Sequence, residues 1–170
     1  IYGLEEKNGT EVWKYKAEGI LDPPPIIFDE LIYFNERGKL GEPELFKVGV
    51  VDPRTGSFQI MWQPTKTEVE RYGDWYGLLG TSSNIPLLQI TEERIIVGGK
   101  SAEFLVGLDR QNGNMIWTKK TGLTYTSPPL IADSKIIFDE STGEWLKADL
   151  VIIDSLTGDE QRVKDFIEFG

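Results

Sequence analysis

The sequence predicts an all-β chain built from a repeated, four-stranded antiparallel unit. A segment recurs without a gap at an offset of 104 positions, so that Gly3-Leu4-Glu5-Glu6-Lys7-Asn8-Gly9 with Trp13 returns as Gly107-Leu108-Asp109-Arg110-Gln111-Asn112-Gly113 with Trp117. The same offset carries Pro24-Pro25-Ile26-Ile27 onto Pro128-Pro129-Leu130-Ile131, and Ile32-Tyr33-Phe34 onto Ile136-Ile137-Phe138. Two weaker copies of the turn are Val51-Asp52-Pro53-Arg54-Thr55-Gly56 and Ile153-Asp154-Ser155-Leu156-Thr157-Gly158. The turn glycines Gly9, Gly56, Gly113 and Gly158 are 47, 57 and 45 residues apart, a period of about 45 with one insertion. Periods of this size mark repeat architectures. Apolar and β-branched runs are short and bounded by turn residues, and no segment keeps a helical apolar period for three turns.

Each element has a local reason. The Asp-x-x-(Thr/Asn)-Gly pieces read as hairpin turns: the carboxylate bonds N–H groups two residues on, and glycine takes the left-handed conformation that closes the loop. Asp29-Glu30, Glu92-Glu93 and Asp133-Ser134 read as tight turns between the next strand pairs. With strands a to d running from inner to outer, the chain reads c-d (1–5 and 11–16), then three a-b-c-d sets. The a strands begin near Pro25, Pro86 and Pro129, and the last d strand lies near 160–166. That makes 14 strands, with units at about 1–20, 21–66, 85–120 and 121–170 and a long inserted loop at 63–84. Four strands per period is the blade of a β-propeller, and about three and a half blades are expected. The chain opens at Ile1 in mid-blade, so the expectation is a part of a larger propeller, or a subunit whose open edges are covered.

The residues Leu108, Asp109, Gly113 and Trp117, and next Leu4, Glu5, Gly9 and Trp13, followed by Pro-Pro and apolar pairs, resemble the pyrroloquinoline-quinone (PQQ)-like propeller repeat. In the weaker copies Ile60 and Arg162 stand where the tryptophan would. The resemblance implies a propeller fold and admits two roles. One is a non-catalytic scaffold; the other is a fragment of a PQQ- and Ca²⁺-dependent dehydrogenase, which would need a tryptophan floor and an Asp base.

Composition narrows the chemistry. No cysteine or histidine occurs, which removes disulfides, thiolate and imidazole metal ligands and every histidine-containing triad. Eighteen basic residues against 28 acidic ones give a net charge of −10, which repels nucleic acid and anionic membranes. No apolar stretch approaches the roughly 18 residues of a membrane span. Gly98-Gly99-Lys100 lacks the spacing of a phosphate-binding loop, and no carboxylate pair is singled out for glycoside hydrolysis.

Strand parity places the short a-b and c-d turns on one face and the long connections 35–45, 139–147 and 63–84 on the other. Long loops on a rigid scaffold are where binding usually sits. The 63–84 loop and its flank carry Trp62, Tyr72, Trp75 and Tyr76, which read either as a ligand or partner surface or as a plug folded onto the propeller. The b-c loops hold Glu36, Glu42, Glu44, Asp139, Glu140 and Glu144, with Trp145 beside them. These acids read as solvated surface charge, with a hard cation at Asp139, Glu140 and Glu144 or a basic partner as the sharper readings. Trp13 and Trp117 read as wedges between blades, and Asn8-Gly9-Thr10 is a glycosylation sequon that matters only in an exported protein. The expectation is a non-catalytic extracellular or cell-envelope scaffold without a cofactor, binding a protein, peptide or glycan through the long-loop face.

Overall fold

The protein is described by a computed structural model covering residues 1–21, 24–37, 46–65, 67–68, 86–99, 104–120, 129–141 and 147–168. Within these residues 15 strands form four antiparallel sheets. The first blade holds only β1 (Tyr2–Leu4) and β2 (Glu11–Lys14). The second comprises β3 (Ile20–Leu21), β4 (Ile26–Phe28), β5 (Leu31–Arg37), β6 (Lys47–Val51) and β7 (Phe58–Trp62). The third runs through β8 (Pro86–Ile90), β9 (Arg94–Gly99), β10 (Phe104–Asp109) and β11 (Met115–Lys120). The fourth contains β12 (Leu130–Ala132), β13 (Lys135–Ser141), β14 (Lys147–Asp154) and β15 (Glu160–Glu168).

The one strand beyond the expected 14 is β3. It pairs with the far end of β5 while β4 pairs with the near end, so two short strands share the inner edge of the second blade. The cause is the Glu36 carboxylate, whose Oε1 accepts the N–H groups of Glu18 and Gly19 at 2.5 and 2.6 Å and draws the incoming chain onto β5.

The four c-d turns are built alike. Gly9, Gly56, Gly113 and Gly158 have φ between 70° and 77°, and each donates its N–H to the carbonyl of the acid four residues earlier at 2.8 Å. The residue before each glycine explains the Asn/Thr preference. Asn8 Oδ1, Thr55 Oγ1, Asn112 Oδ1 and Thr157 Oγ1 accept the N–H two residues on, at 2.8–3.1 Å. Asp52, Asp109 and Asp154 accept the N–H two residues ahead, as the sequence predicts; in the first copy Glu5 takes the Asn8 amide instead. Asp29-Glu30 and Asp133-Ser134 turn with positive φ at both residues, whereas at Glu92-Glu93 the Thr91 hydroxyl accepts the Arg94 N–H.

Two cores lie between blades. Tyr33, Val48 and Met61 of the second blade pack with Leu88, Ile95, Val106 and Leu108 of the third. Ile96, Leu105 and Trp117 of the third pack with Ile136, Phe138, Val151 and Ile153 of the fourth. Between the first and second blades Tyr15, Phe34 and Phe58 cluster, with ring centroids 4.6–5.9 Å apart, Phe34 stacked on Phe58 and Tyr15 tilted against both.

The tryptophans sit at these joints. Trp13 Nε1 donates to the Pro53 carbonyl of the next blade at 2.6 Å, and Trp117 Nε1 to that of Ser155 at 2.9 Å. Each indole lies over its own blade's Gly3 or Gly107 and the next blade's Gly56 or Gly158; a Cβ on Gly56 would come within 2.6 Å of Trp13, and one on Gly158 within 2.8 Å of Trp117. Only glycine leaves room at both levels. At the second–third joint Ile60 replaces the tryptophan, and the Gly113 turn rests on the Met61 backbone carbonyl.

Candidate partner-binding face

Antiparallel pairing puts the ends of β5, β7, β9, β11 and β13 on one side, from which the connections at 38–45, 63–85, 100–103, 121–129 and 142–146 leave. Among the described residues the opposite side carries the short turns. On the long-connection side the strand ends are tied down by charge. Asn35, Glu36 and Lys47 are buried in the second blade, and Asp139, Glu140 and Asp149 in the fourth.

Glu36 is fully buried at the end of β5. An isolated carboxylate there would be costly, and four donors surround it. Besides the Glu18 and Gly19 amides, the Tyr15 hydroxyl donates to Oε2 at 2.5 Å, and Lys47 Nζ lies 3.7 Å from Oε2. Lys47 also bonds Glu18 at 2.9 Å and holds that carboxyl below its ordinary range. The Tyr15 phenol is pushed above its ordinary value, by burial first and then by its bond to Glu36. It is a donor here, far from serving as a base.

In the fourth blade Glu140 occupies the repeat position of Glu36, at the same offset of 104. It pairs with Arg162, whose Nη1 also reaches Asp149 at 3.2 Å and whose Nε reaches Glu160 at 3.0 Å. Partial burial alone would lower the Arg162 guanidinium; its bonds to Glu140, Asp149 and Glu160 outweigh that and raise it. Asp149 accepts the Asp165 N–H at 3.0 Å, and this bond, then Arg162, holds its carboxyl below the usual range. Asp165 adopts φ 51° where β15 bulges against β14.

Glu36, Asp139 and Glu140 are therefore not the solvated surface charges that their types suggested: burial reaches them because they sit inside the blade ends, and neighbouring donors make that tolerable. The legible signal was recurrence, an acid returning at one repeat position. Trp62 is also buried, 8% exposed, with its ring edge-on to Phe46 at 5.9 Å. It anchors the start of the 63–84 connection in the second–third core. Tyr72, Trp75, Tyr76, Glu42, Glu44, Glu144 and Trp145 lie outside the described residues. Among the described residues no group of three acids is arranged to hold a metal ion.

Hollows lie elsewhere. One of about 450 Å³ opens on the short-turn side between Phe28, Asp29, Glu92, Glu93 and Arg110. Arg110 crosses it, bonding the Glu92 carbonyl at 2.6 Å and Asp29 at 3.1 Å, with its guanidinium 5.2 Å from the Phe28 ring centre. Arg110 thus clamps the second blade to the third where no tryptophan does.

No protein-family model matches the chain, and no curated protein matches it. Among solved structures, BamB from Moraxella catarrhalis is similar over 92% of this chain, with a TM-score of 0.58 and 21% identity. The computationally designed Ika8 protein matches over 94% of the chain (TM-score 0.56, 12% identity), and the designed Ika4 protein over 88% (TM-score 0.52, 11% identity). The chain spans 40% of the BamB chain, 42% of Ika8 and 74% of Ika4. At these identities the likeness shows the fold: the chain is a partial β-propeller of four-stranded antiparallel blades.

Proposed function

We propose that the chain is a non-catalytic propeller scaffold of the PQQ-like repeat type, which binds a protein, peptide or glycan partner through its long-connection face. The observation that carries this reading is the division of the fold into two sides. Short turns are locked by repeated hydrogen bonds on one, and the long connections leave from the other, where buried charges hold the strand ends of the second and fourth blades. Rigid strand ends beneath variable loops suit a binding platform. Tyr72, Trp75, Tyr76 and Trp145 are the aromatic residues the reading assigns to contact, with Trp62 as their buried anchor. The net charge of −10 favours a basic partner. The buried acids Glu36, Glu140 and Asp149 are engaged by amides, a phenol, lysine or arginine, which suits them to holding structure. The reading places this scaffold outside the cell or in the cell envelope.

The test compares the wild-type chain with a Trp75→Ala/Tyr76→Ala double variant against arrays of basic peptides, neutral peptides and glycans. The reading expects binding by the wild type, loss in the double variant and retention in an Arg110→Ala variant on the opposite side. Binding lost only with Arg110→Ala would move the site to the short-turn side. A thermal shift on adding PQQ with Ca²⁺ would instead favour the dehydrogenase reading.

A further inference from the structure

Of the three joints between the described blades, two are filled at the short-turn end by an indole and one is not. A Cβ on Gly158 would meet Cβ and Cγ of Trp117, and one on Gly107 would meet Cε2, Nε1 and Cζ2 of the same ring. Trp13 sits likewise between Gly56 and Gly3. Both indoles point forward because the pairing shifts beside the turn, which sets Trp13 opposite Gly3 and Trp117 opposite Gly107. In the second blade the shift comes later, between Val48 and Gly49. Val50, the counterpart of Gly107, therefore pairs with Gln59, which takes the place an indole holds elsewhere. Trp62 lies at the other end of β7, against Phe46.

A hollow of about 250 Å³ remains at this joint. Leu31, Tyr33, Val50 and Gln59 line it from the second blade, and Arg110 and Gln111 from the turn of the third. Val50 and Arg110 hold the repeat positions of Gly107 and Ser155, the two residues that meet the Trp117 indole at its joint. The Met61 backbone lies on Gly113 where the base of the indole lies on Gly158, so the space left open is that of the ring. The acceptor recurs as well. Trp13 and Trp117 donate to the carbonyls of Pro53 and Ser155, each three residues before a turn glycine. The carbonyl in that place here is that of Arg110, and no described residue donates to it. Both walls come from described blades, so the hollow is independent of any blade outside them.

We propose that this hollow binds a small planar heteroaromatic molecule of the indole class, its ring against Leu31 and Val50 and its N–H donated to the Arg110 carbonyl, as Trp13 and Trp117 donate at their joints. Apolar cavities of about 150 Å³ already accept benzene. A ring with one N–H buries a large apolar area and satisfies its polar edge on a single acceptor. Arg110 closes the outer end without filling it. Asp29 and the Glu92 carbonyl draw its guanidinium across the adjoining hollow, over the Phe28 ring.

The test titrates indole into the isotope-labelled full chain and follows it by NMR. The proposal expects saturable amide shifts at Val50, Gln59 and Gln111, and intermolecular NOEs from indole to the Leu31 and Val50 methyl groups. N-methylindole, which lacks the donor, should bind roughly fivefold more weakly. A Val50→Gly/Gln59→Trp variant rebuilds the glycine–tryptophan pair of the other joints, so it should fill the hollow with its own indole and lose indole binding. Circular dichroism checks its fold; should that variant fail to fold, Leu31→Phe, at a half-buried position of the β4–β5 hairpin, narrows the hollow and should weaken binding. Absence of shifts up to millimolar indole, or shifts centred on another joint, would overturn the proposal. Equal binding of N-methylindole, or undiminished binding by a folded variant with a filled or narrowed hollow, would overturn it too. The hollow lies beside the short turns, so none of these outcomes bears on the long-connection face.

Discussion

Hairpins β1–β2 and β10–β11 are two copies of one repeat. Both carry glycine opposite tryptophan, at Gly3 and Trp13 and at Gly107 and Trp117. Both turns close with the same hydrogen bonds, and both indoles reach the next blade. They differ in what lies behind them. Leu108 is completely buried against the second blade, while Leu4 is 59% exposed. The repeat thus dictates the local turn and the forward joint; burial of the rear face is conferred by a neighbour.

That difference can be broken by substitution. Gly113→Ala meets both the left-handed backbone penalty and the Met61 carbonyl, so unfolding in urea should show a loss of about 4 kcal/mol. Gly9→Ala meets the backbone penalty alone, and should lose about 1 kcal/mol. Truncating Leu108 to alanine should cost about 3 kcal/mol, whereas Leu4→Ala in the monomer should stay within about 0.5 kcal/mol. A result in which the two leucines cost the same would erase the distinction between a covered and an uncovered hairpin.

Smaller effects sharpen it. Trp117→Phe strands the Ser155 carbonyl inside the third–fourth joint and should cost about 2 kcal/mol. At the more exposed first joint, Trp13→Phe should cost about 1 kcal/mol. The acid dependence is smaller still. Asp149 has a depressed folded pKa, so its contribution is present above the unfolded value of about 3.9 and is lost as pH falls through the folded value. Asp149→Asn should therefore lower stability at neutral pH, and its curve should converge with that of the wild type in acid.

The turns were legible because a single glycine and a single acid determine each of them, through φ and a short hydrogen bond. The Trp13 and Trp117 joints were legible for a related reason: a large donor recurring at one position needs a recurring acceptor. The strand β3 was not, because Ile20–Leu21 is placed by the Glu36 carboxylate, a partner 17 and 18 positions away from the amides it holds. Trp62 shows the same limit. Its place beside the aromatic 63–84 connection suggested a contact surface, yet packing against Phe46 makes it core. The role of Arg110 also escaped the sequence, since Asp29 lies 81 positions from it.

Coverage by a neighbour separates these hairpins, and amide hydrogen exchange reads coverage directly. Gly9, Gly113 and Gly158 donate the same turn hydrogen bond at the same 2.8 Å, so intrinsic turn strength does not distinguish them. At a dilution that keeps the chain monomeric, the Gly113 and Gly158 amides should exchange orders of magnitude more slowly than that of Gly9, which should be close to unprotected. Equal protection at all three glycines would mean that the turns are stable by themselves, and would contradict the claim that each blade is held by the one behind it.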